Sequence, residues 1–197
     1  MNNPVAVLLL MLLLAGCAPH YSLVAPGEVS AQGLTLELSK PWNKSPFSPG
    51  PRVALWTRDG EVLNQLFVIG DLNEGESLFK SPSKEVAMPT FSADMLPNEL
   101  VDLTVTSLKL LYGGELTVTA SNLRPQTVSG GMGFRFKLAH YTREGLYREG
   151  DVLARADGDR LYMVIFVAAK THYYPSQLAE IERLFETARI TPTKGKG

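Results

Sequence analysis

The chain predicts an α+β sandwich, a largely antiparallel sheet covered by helices, and three patterns carry that prediction. Several short runs alternate apolar and polar residues, the period of a strand with one wet face. Two longer stretches, residues 97–112 and 176–188, instead repeat apolar residues at three- and four-residue steps, as a helix with one buried stripe does. The strands follow one another through tight, Gly-containing turns, so neighbours pair antiparallel and the helices are left to cover the sheet.

Residues 1–16 join a short polar start to an uninterrupted apolar run and end in small Ala15 and Gly16, the build of a secretory signal. The run, Val5 through Leu14, is shorter than the roughly 20 residues a spanning helix takes. No polar position breaks it, as an amphipathic helix would require, although its start carries no Lys or Arg. Leu14-Ala15-Gly16-Cys17 resembles the lipobox of bacterial lipoprotein precursors, and Cys17 is the sole cysteine. The resemblance implies cleavage before Cys17, a diacylglycerol on its sulfur and an acyl chain on its freed amine. Ala18, where that family's inner-membrane members tend to carry Asp, implies the outer membrane, facing the periplasm. Two or more acyl chains anchor a protein stably, at about 0.8 kcal/mol per buried methylene. With Cys17 committed to lipid, no intramolecular disulfide is expected.

Residues 17–33 would then be the lipidated cysteine and a flexible tether, since Pro19, Pro26 and Gly27 fall in a stretch with neither hydrophobic period. Leu34–Leu38 alternates as a first strand, and residues 41–51 form a proline-punctuated loop whose Trp42 and Phe47 cap the core or line a groove. Residues 52–58 and 61–69 read as a hairpin closed at Asp59-Gly60. Residues 70–92 are polar and without period, a long excursion of the kind that is usually functional or mobile. Pro97 opens a helix carrying Leu100, Leu103, Leu110 and Leu111, and Gly113-Gly114 stops it. Leu116, Val118 and Ala120 begin a strand that Arg124-Pro125 would break; residues 129–133 would be a flexible turn into Phe134, Phe136 and Leu138. After a turn at Glu144-Gly145 comes a strand over 146–156, then a turn at Asp157-Gly158-Asp159. Residues 161–169 are apolar on both faces, which marks a central strand covered on both sides. Leu178, Ile181, Leu184, Phe185 and Ala188 give the last helix its stripe, with Glu180, Glu182, Arg183 and Glu186 as its wet face. Residues 34–190 are thus one globular domain and 191–197 a disordered basic tail.

This domain resembles the Mog1/PsbP-like fold at Leu146-Tyr147-Arg148-Glu149-Gly150-Asp151, at the strand 160–169, and at the Tyr173-Tyr174-Pro175 helix that ends in Ala188-Arg189-Ile190. Because members of that fold are mostly non-enzymatic binding or accessory proteins, the resemblance implies no catalysis and no cofactor. The roughly 180 residues after Cys17 suit a single core. A net charge of −1 with mixed signs throughout leaves no basic field for nucleic acid.

Four patterns bear on chemistry. Ser81-Pro82-Ser83-Lys84 matches the Ser-x-x-Lys spacing of penicillin-binding enzymes, and Lys170-Thr171-His172 is similar to their Lys-Thr-Gly, but prolines 82 and 89 break the helix start that the serine needs. His140 and His172 each precede a Tyr near a strand end, without the close spacing of a metal pair. The glycines of 130–133 open into a strand, whereas a phosphate-cradling loop opens into a helix. Trp42, Trp56, Tyr147, Tyr173 and Tyr174 are the candidate partner-contacting residues, as aromatics with a polar tip suit protein or glycan surfaces. The sequence therefore predicts an outer-membrane lipoprotein with its membrane held through the lipid and an envelope protein or glycan as partner. Its rivals are a carrier of a small apolar ligand and, less well supported, an envelope hydrolase using Ser81, Ser83 or His172.

Overall fold

The computed structural model describes residues 20–114 and 116–191, so the signal segment, Cys17 and residues 192–197 of the expected tail lie outside the described residues. In chain order the first half contains β1 (Ser22–Val24), β2 (Gly27–Ala31), β3 (Leu34–Leu38), β4 (Trp42–Lys44), β5 (Val53–Thr57), β6 (Asn64–Asn73) and helix α1 (Pro97–Leu111). The second half contains β7 (Val118–Val128), β8 (Gly131–Tyr141), β9 (Tyr147–Asp157), β10 (Arg160–Ala169), helix α2 (Tyr173–Thr187) and β11 (Arg189–Ile190). Eight strands form one antiparallel sheet in the order β1-β4-β5-β6-β10-β9-β8-β7, and β11-β3-β2 form a smaller one. The expected α+β sandwich is what the chain builds.

Strand β10 sits at the middle because its sequence has no wet side. Leu161, Met163, Ile165 and Val167 face one core with Leu100, Leu103 and Leu108 of α1. Tyr162, Val164, Phe166 and Ala168 face a second core with Ile181, Leu184 and Phe185 of α2 and Leu34, Leu36 and Leu38 of β3. One layer over each face follows directly from the period-two geometry of a strand that is apolar throughout.

Several sequence expectations are corrected. The tether does not reach Gly33: β1 pairs with β4 and β2 pairs with β3, so the folded body begins at Ser22. Pairing partners distant in sequence supply the order that the local pattern lacks. Pro125 does not end a strand, because β7 is the edge of the sheet and an edge residue can lack an N–H. Residues 129–133 are not an open turn: Ser129 and Gly130 alone, both at positive φ, join Val128 to Gly131 in the tight form that matches strand twist. The Asp59-Gly60 turn is longer than two residues, because the Asn64 side chain holds it by accepting from the Arg58 N–H at 2.8 Å. Glu180 is buried rather than wet, and its carboxylate takes both Arg58 at 2.6 Å and the Trp42 indole at 3.3 Å.

The stretch 70–92 is also not the excursion it resembles. Residues 70–73 extend β6, and the remainder lies across the α1 face with Leu78, Phe79 and Phe91 buried. Phe79 packs on Phe67 with ring centroids 5.4 Å apart, and backbone bonds from Gly75 to Phe91 and from Phe91 to Glu76 pin the segment. It is therefore a third part of the layer over the sheet. Phe79→Ala should lower stability by about 3–4 kcal/mol in urea unfolding, as for other large buried aromatics; a loss under about 1 kcal/mol would mean that the segment is not part of the cooperative core.

Candidate binding site

The five aromatic residues singled out in the sequence do not form one surface. Trp42, Trp56 and Tyr174 are buried, which corrects their assignment as partner contacts. Their polar tips explain how two of them can be inside: the Trp42 indole donates to Glu180, and the Tyr174 hydroxyl donates to Asp151 at 2.6 Å. Tyr147 and Tyr173 are half-buried on the α2 side, Tyr147 against Tyr141 at 4.7 Å and beneath the Lys170 ammonium, Tyr173 edge-on to His172.

Nor are the hydrolase candidates assembled. Ser81 and Ser83 lie in an exposed loop, where the Ser81 hydroxyl donates to the carbonyls of Ser83 and Val86. With no helix there, Lys84 is not brought one turn above Ser81. Lys170 pairs with Glu149 at 2.8 Å, and His172 is exposed at the start of α2. Among the described residues no three His, Cys, Asp or Glu side chains are grouped to hold a metal.

His140, by contrast, lies in a constructed site. Three of four neighbouring strands place a polar residue in one row on the α1 face: Gln65 of β6, across from Val167 of β10, and His140 of β8 directly across from Arg148 of β9. Elsewhere on β8 and β9 the same face carries Phe136, Leu138, Val152 and Ala154, so Arg148 and His140 occupy positions that the strand period reserves for core. Tyr112, the cap residue of α1, closes over them. Its ring stacks on His140 at 5.1 Å, and its hydroxyl donates to Gln65 Oε1 at 2.7 Å. Gly113 then turns the chain away at φ +100, and a Cβ there would meet the Arg143 guanidinium at 1.9 Å. Glycine suits this position chiefly for its backbone, since the exposed Arg143 tip could move aside for a side chain.

The result is a cleft of about 270 Å³ lined by Glu61, Gln65, Tyr112, His140, Arg143 and Arg148, near the lower end of the range for small-molecule sites. A second cavity of about 260 Å³ adjoins it, sharing Glu61, Gln65 and Tyr112 and reaching Phe47. Arg148 is only 2% exposed; it donates to Gln65 Oε1 at 3.0 Å and to the Val167 carbonyl at 3.2 Å. Burial pushes its guanidinium below the usual value, with Tyr112 opposing. His140 is equally enclosed at 2%, and burial first, then the Arg148 charge, pushes its pKa down to about 4. Burial also raises the Tyr112 phenol. The site therefore holds a neutral imidazole beside a fixed cation at neutral pH.

No family model matches this sequence, and no curated protein does. The fold, however, has relatives among solved structures. Cyanobacterial PsbP (CyanoP) from Synechocystis superposes with a TM-score of 0.58 at 9% identity, over 90% of this chain and 95% of that one. A protein of Bacteroides thetaiotaomicron gives 0.48 at 12% identity, over 88% of this chain and 50% of its own. LpqN, involved in cell envelope biogenesis of Mycobacterium tuberculosis, gives 0.38 at 12% identity, over 90% and 88%. The chain has the PsbP-like fold.

The depressed His140 pKa makes stability pH-dependent in a defined direction. The unfolded imidazole binds a proton below about 6.5 and the folded one only near 4, so its contribution is complete above pH 6.5 and lost as pH falls. His140→Phe keeps a ring against Tyr112 and removes the titration. Relative to that variant, the parent should lose about 3 kcal/mol between pH 6.5 and 4 in urea unfolding, at roughly 1.4 kcal/mol per unit; parallel curves would show that His140 is not held neutral.

Proposed function

We propose that this protein is a lipid-anchored lipoprotein of the bacterial envelope, held at the outer membrane and facing the periplasm, whose PsbP-like domain binds another envelope component without catalysing its reaction. The single observation that carries the binding role is the pair of adjoining cavities beneath the C-terminal end of α1, which share Glu61, Gln65 and Tyr112. Their outer wall includes Phe47 and Val62, exposed at 62% and 68%, apolar side chains suited to a partner surface.

The anchor and the cleft are linked through the chain. Tyr21 donates to Glu61 on the cleft wall at 2.9 Å, and it lies four residue steps from Cys17, a reach of about 14 Å when extended. Lipid on Cys17 would hold this edge of the domain, with β1 and the Glu61–Val62 turn, near the bilayer. Among the described residues no helix is long and apolar enough to cross a membrane, so attachment through Cys17 is the route the sequence offers. A wholly apolar guest suits the cleft less well, since its floor carries Arg148 and its rim Glu61 and Glu144. The serines that a hydrolase would use lie outside it.

The test places a photo-crosslinking residue at Val62, or at exposed Glu186 on α2 as a control, in intact cells fed an alkyne fatty acid. The parent should take up the label and Cys17→Ser should not, and Val62 should yield a discrete adduct that Glu186 does not. Label retained by Cys17→Ser, or equal adducts from the two positions, would contradict the proposal.

A further inference from the structure

The geometry points to a specific ligand chemistry for this cleft: a short organic monoacid whose carboxylate is met by Arg148 and whose adjacent O–H or N–H donor is met by His140 Nε2. The inference rests on reading the cleft as a binding site and adds what it binds. It begins from a contrast between the two buried arginines of the sheet. Arg135, 3% exposed, is neutralised by Asp151 at 3.1 Å and by Glu182. Arg148 is as deeply enclosed, yet its partners are neutral, the oxygens of Gln65 and Val167 with the Tyr112 hydroxyl beside them, and among the described residues no carboxylate is paired with it. The Nε of each arginine has no hydrogen-bond partner, so the difference between them lies in the paired carboxylates alone.

A buried cation without an anion is costly, and a chain that compensates Arg135 twice has the means to compensate Arg148. An anion entering from the cleft would supply the missing charge. A guanidinium presents paired N–H groups in a plane, which fits a carboxylate in two-point contact.

His140 adds the second requirement. Its Nδ1 lies 3.3 Å from the Tyr141 carbonyl, and with the ring neutral that nitrogen carries the proton and donates. The opposite nitrogen, Nε2, then bears a bare lone pair, and it too has no partner. An acceptor beside a cation is complemented by a donor beside an anion. A 2-hydroxycarboxylate has that arrangement, as does the C-terminal carboxylate of a peptide with its own amide N–H one carbon away. The rim refines the choice: Glu61 and Glu144 outnumber Arg143, which disfavours dianions such as phosphate. A volume of about 270 Å³ is large enough for such a monoacid, and because His140 Nε2 and Arg148 Nε are both enclosed, the Tyr112 side of the wall has to give way for it to touch them.

The experiment uses the full-length chain in detergent at pH 7, with labelled His and Arg side chains followed by NMR. Lactate represents the hydroxy acid and N-acetylalanine the peptide terminus; acetate lacks the donor, lactamide lacks the charge, and phosphate tests the dianion. At least one of the first two should shift the His140 and Arg148 signals saturably, and the last three should bind about tenfold more weakly or worse. Arg148→Met should weaken binding at least tenfold, and Glu144→Gln, an exposed change whose amide oxygen can keep the local bonds to Thr142 and the Glu144 backbone, should tighten it. Which of the two acids binds more tightly names the source of the carboxylate. Absence of shifts with both acids, preference for phosphate, or a Glu144→Gln variant that binds no more tightly than the parent would overturn the inference. Acid binding without a Val62 adduct would leave the inference standing and remove the partner reading; an adduct without acid binding would do the reverse.

Discussion

The architecture follows from one constraint, that strand β10 has apolar side chains on both faces and must be covered twice. Leu161 to Val167 in odd steps calls for α1 and the packed segment after β6, and Tyr162 to Ala168 in even steps calls for α2 and the small sheet. Where that cover ends, at the C-terminal cap of α1, the row beneath changes from aliphatic to Gln65, Arg148 and His140. The cleft is thus the place where a layer built to exclude water runs out over polar side chains. Its position is set by the length of α1, and its chemistry by three substitutions into a core-facing row.

Two buried arginines show how differently the fold treats charge. Around Arg135 the chain arranges Asp151, Glu182, Lys137 and Tyr174 into a network in which charge and hydrogen bonding are largely satisfied, the condition under which buried ions are tolerated. This network ties β8 and β9 to α2 and belongs to the scaffold. Around Arg148 the described residues offer only neutral acceptors, and the neighbouring histidine is kept uncharged by burial and by that same cation. Polar groups left uncompensated on the floor of a cleft are stabilising only once something binds them, which is the usual trade between stability and function.

Much of the fold was legible because the strongest signals are periodic. The continuous run of β10, the stripe of α2 and the Pro97 to Gly113 limits of α1 needed no tertiary information. Elements whose order comes from distant partners were not legible. β1 and β2 are short, lack a clean period and form only because β4 and β3 accept them; the segment carrying Phe79 and Phe91 is fixed by packing that its polar neighbours conceal. The site was harder still. Aromatic side chains drew attention to Trp42, Trp56 and Tyr174, yet the Trp42 indole and the Tyr174 phenol are satisfied inside and Trp56 is buried with them, so three of the five proved to be core. Arg148 and His140 were visible as letters, but only parity exposes them: both fall on the inward register of strands whose other inward residues are Phe136, Leu138, Val152 and Ala154. A charge on the inward beat of a strand was the available signal.

The central claim is that the Arg148 charge is retained for a ligand and not for the fold. Urea unfolding of ligand-free Arg148→Met tests it most directly, since methionine fills similar volume without charge. The account predicts stability equal to the parent or higher by about 1–3 kcal/mol, as when buried ions are replaced by apolar groups. A loss of about 3 kcal/mol or more, of the size seen when a buried ion pair is broken, would show that Arg148 holds the fold together and would contradict the account.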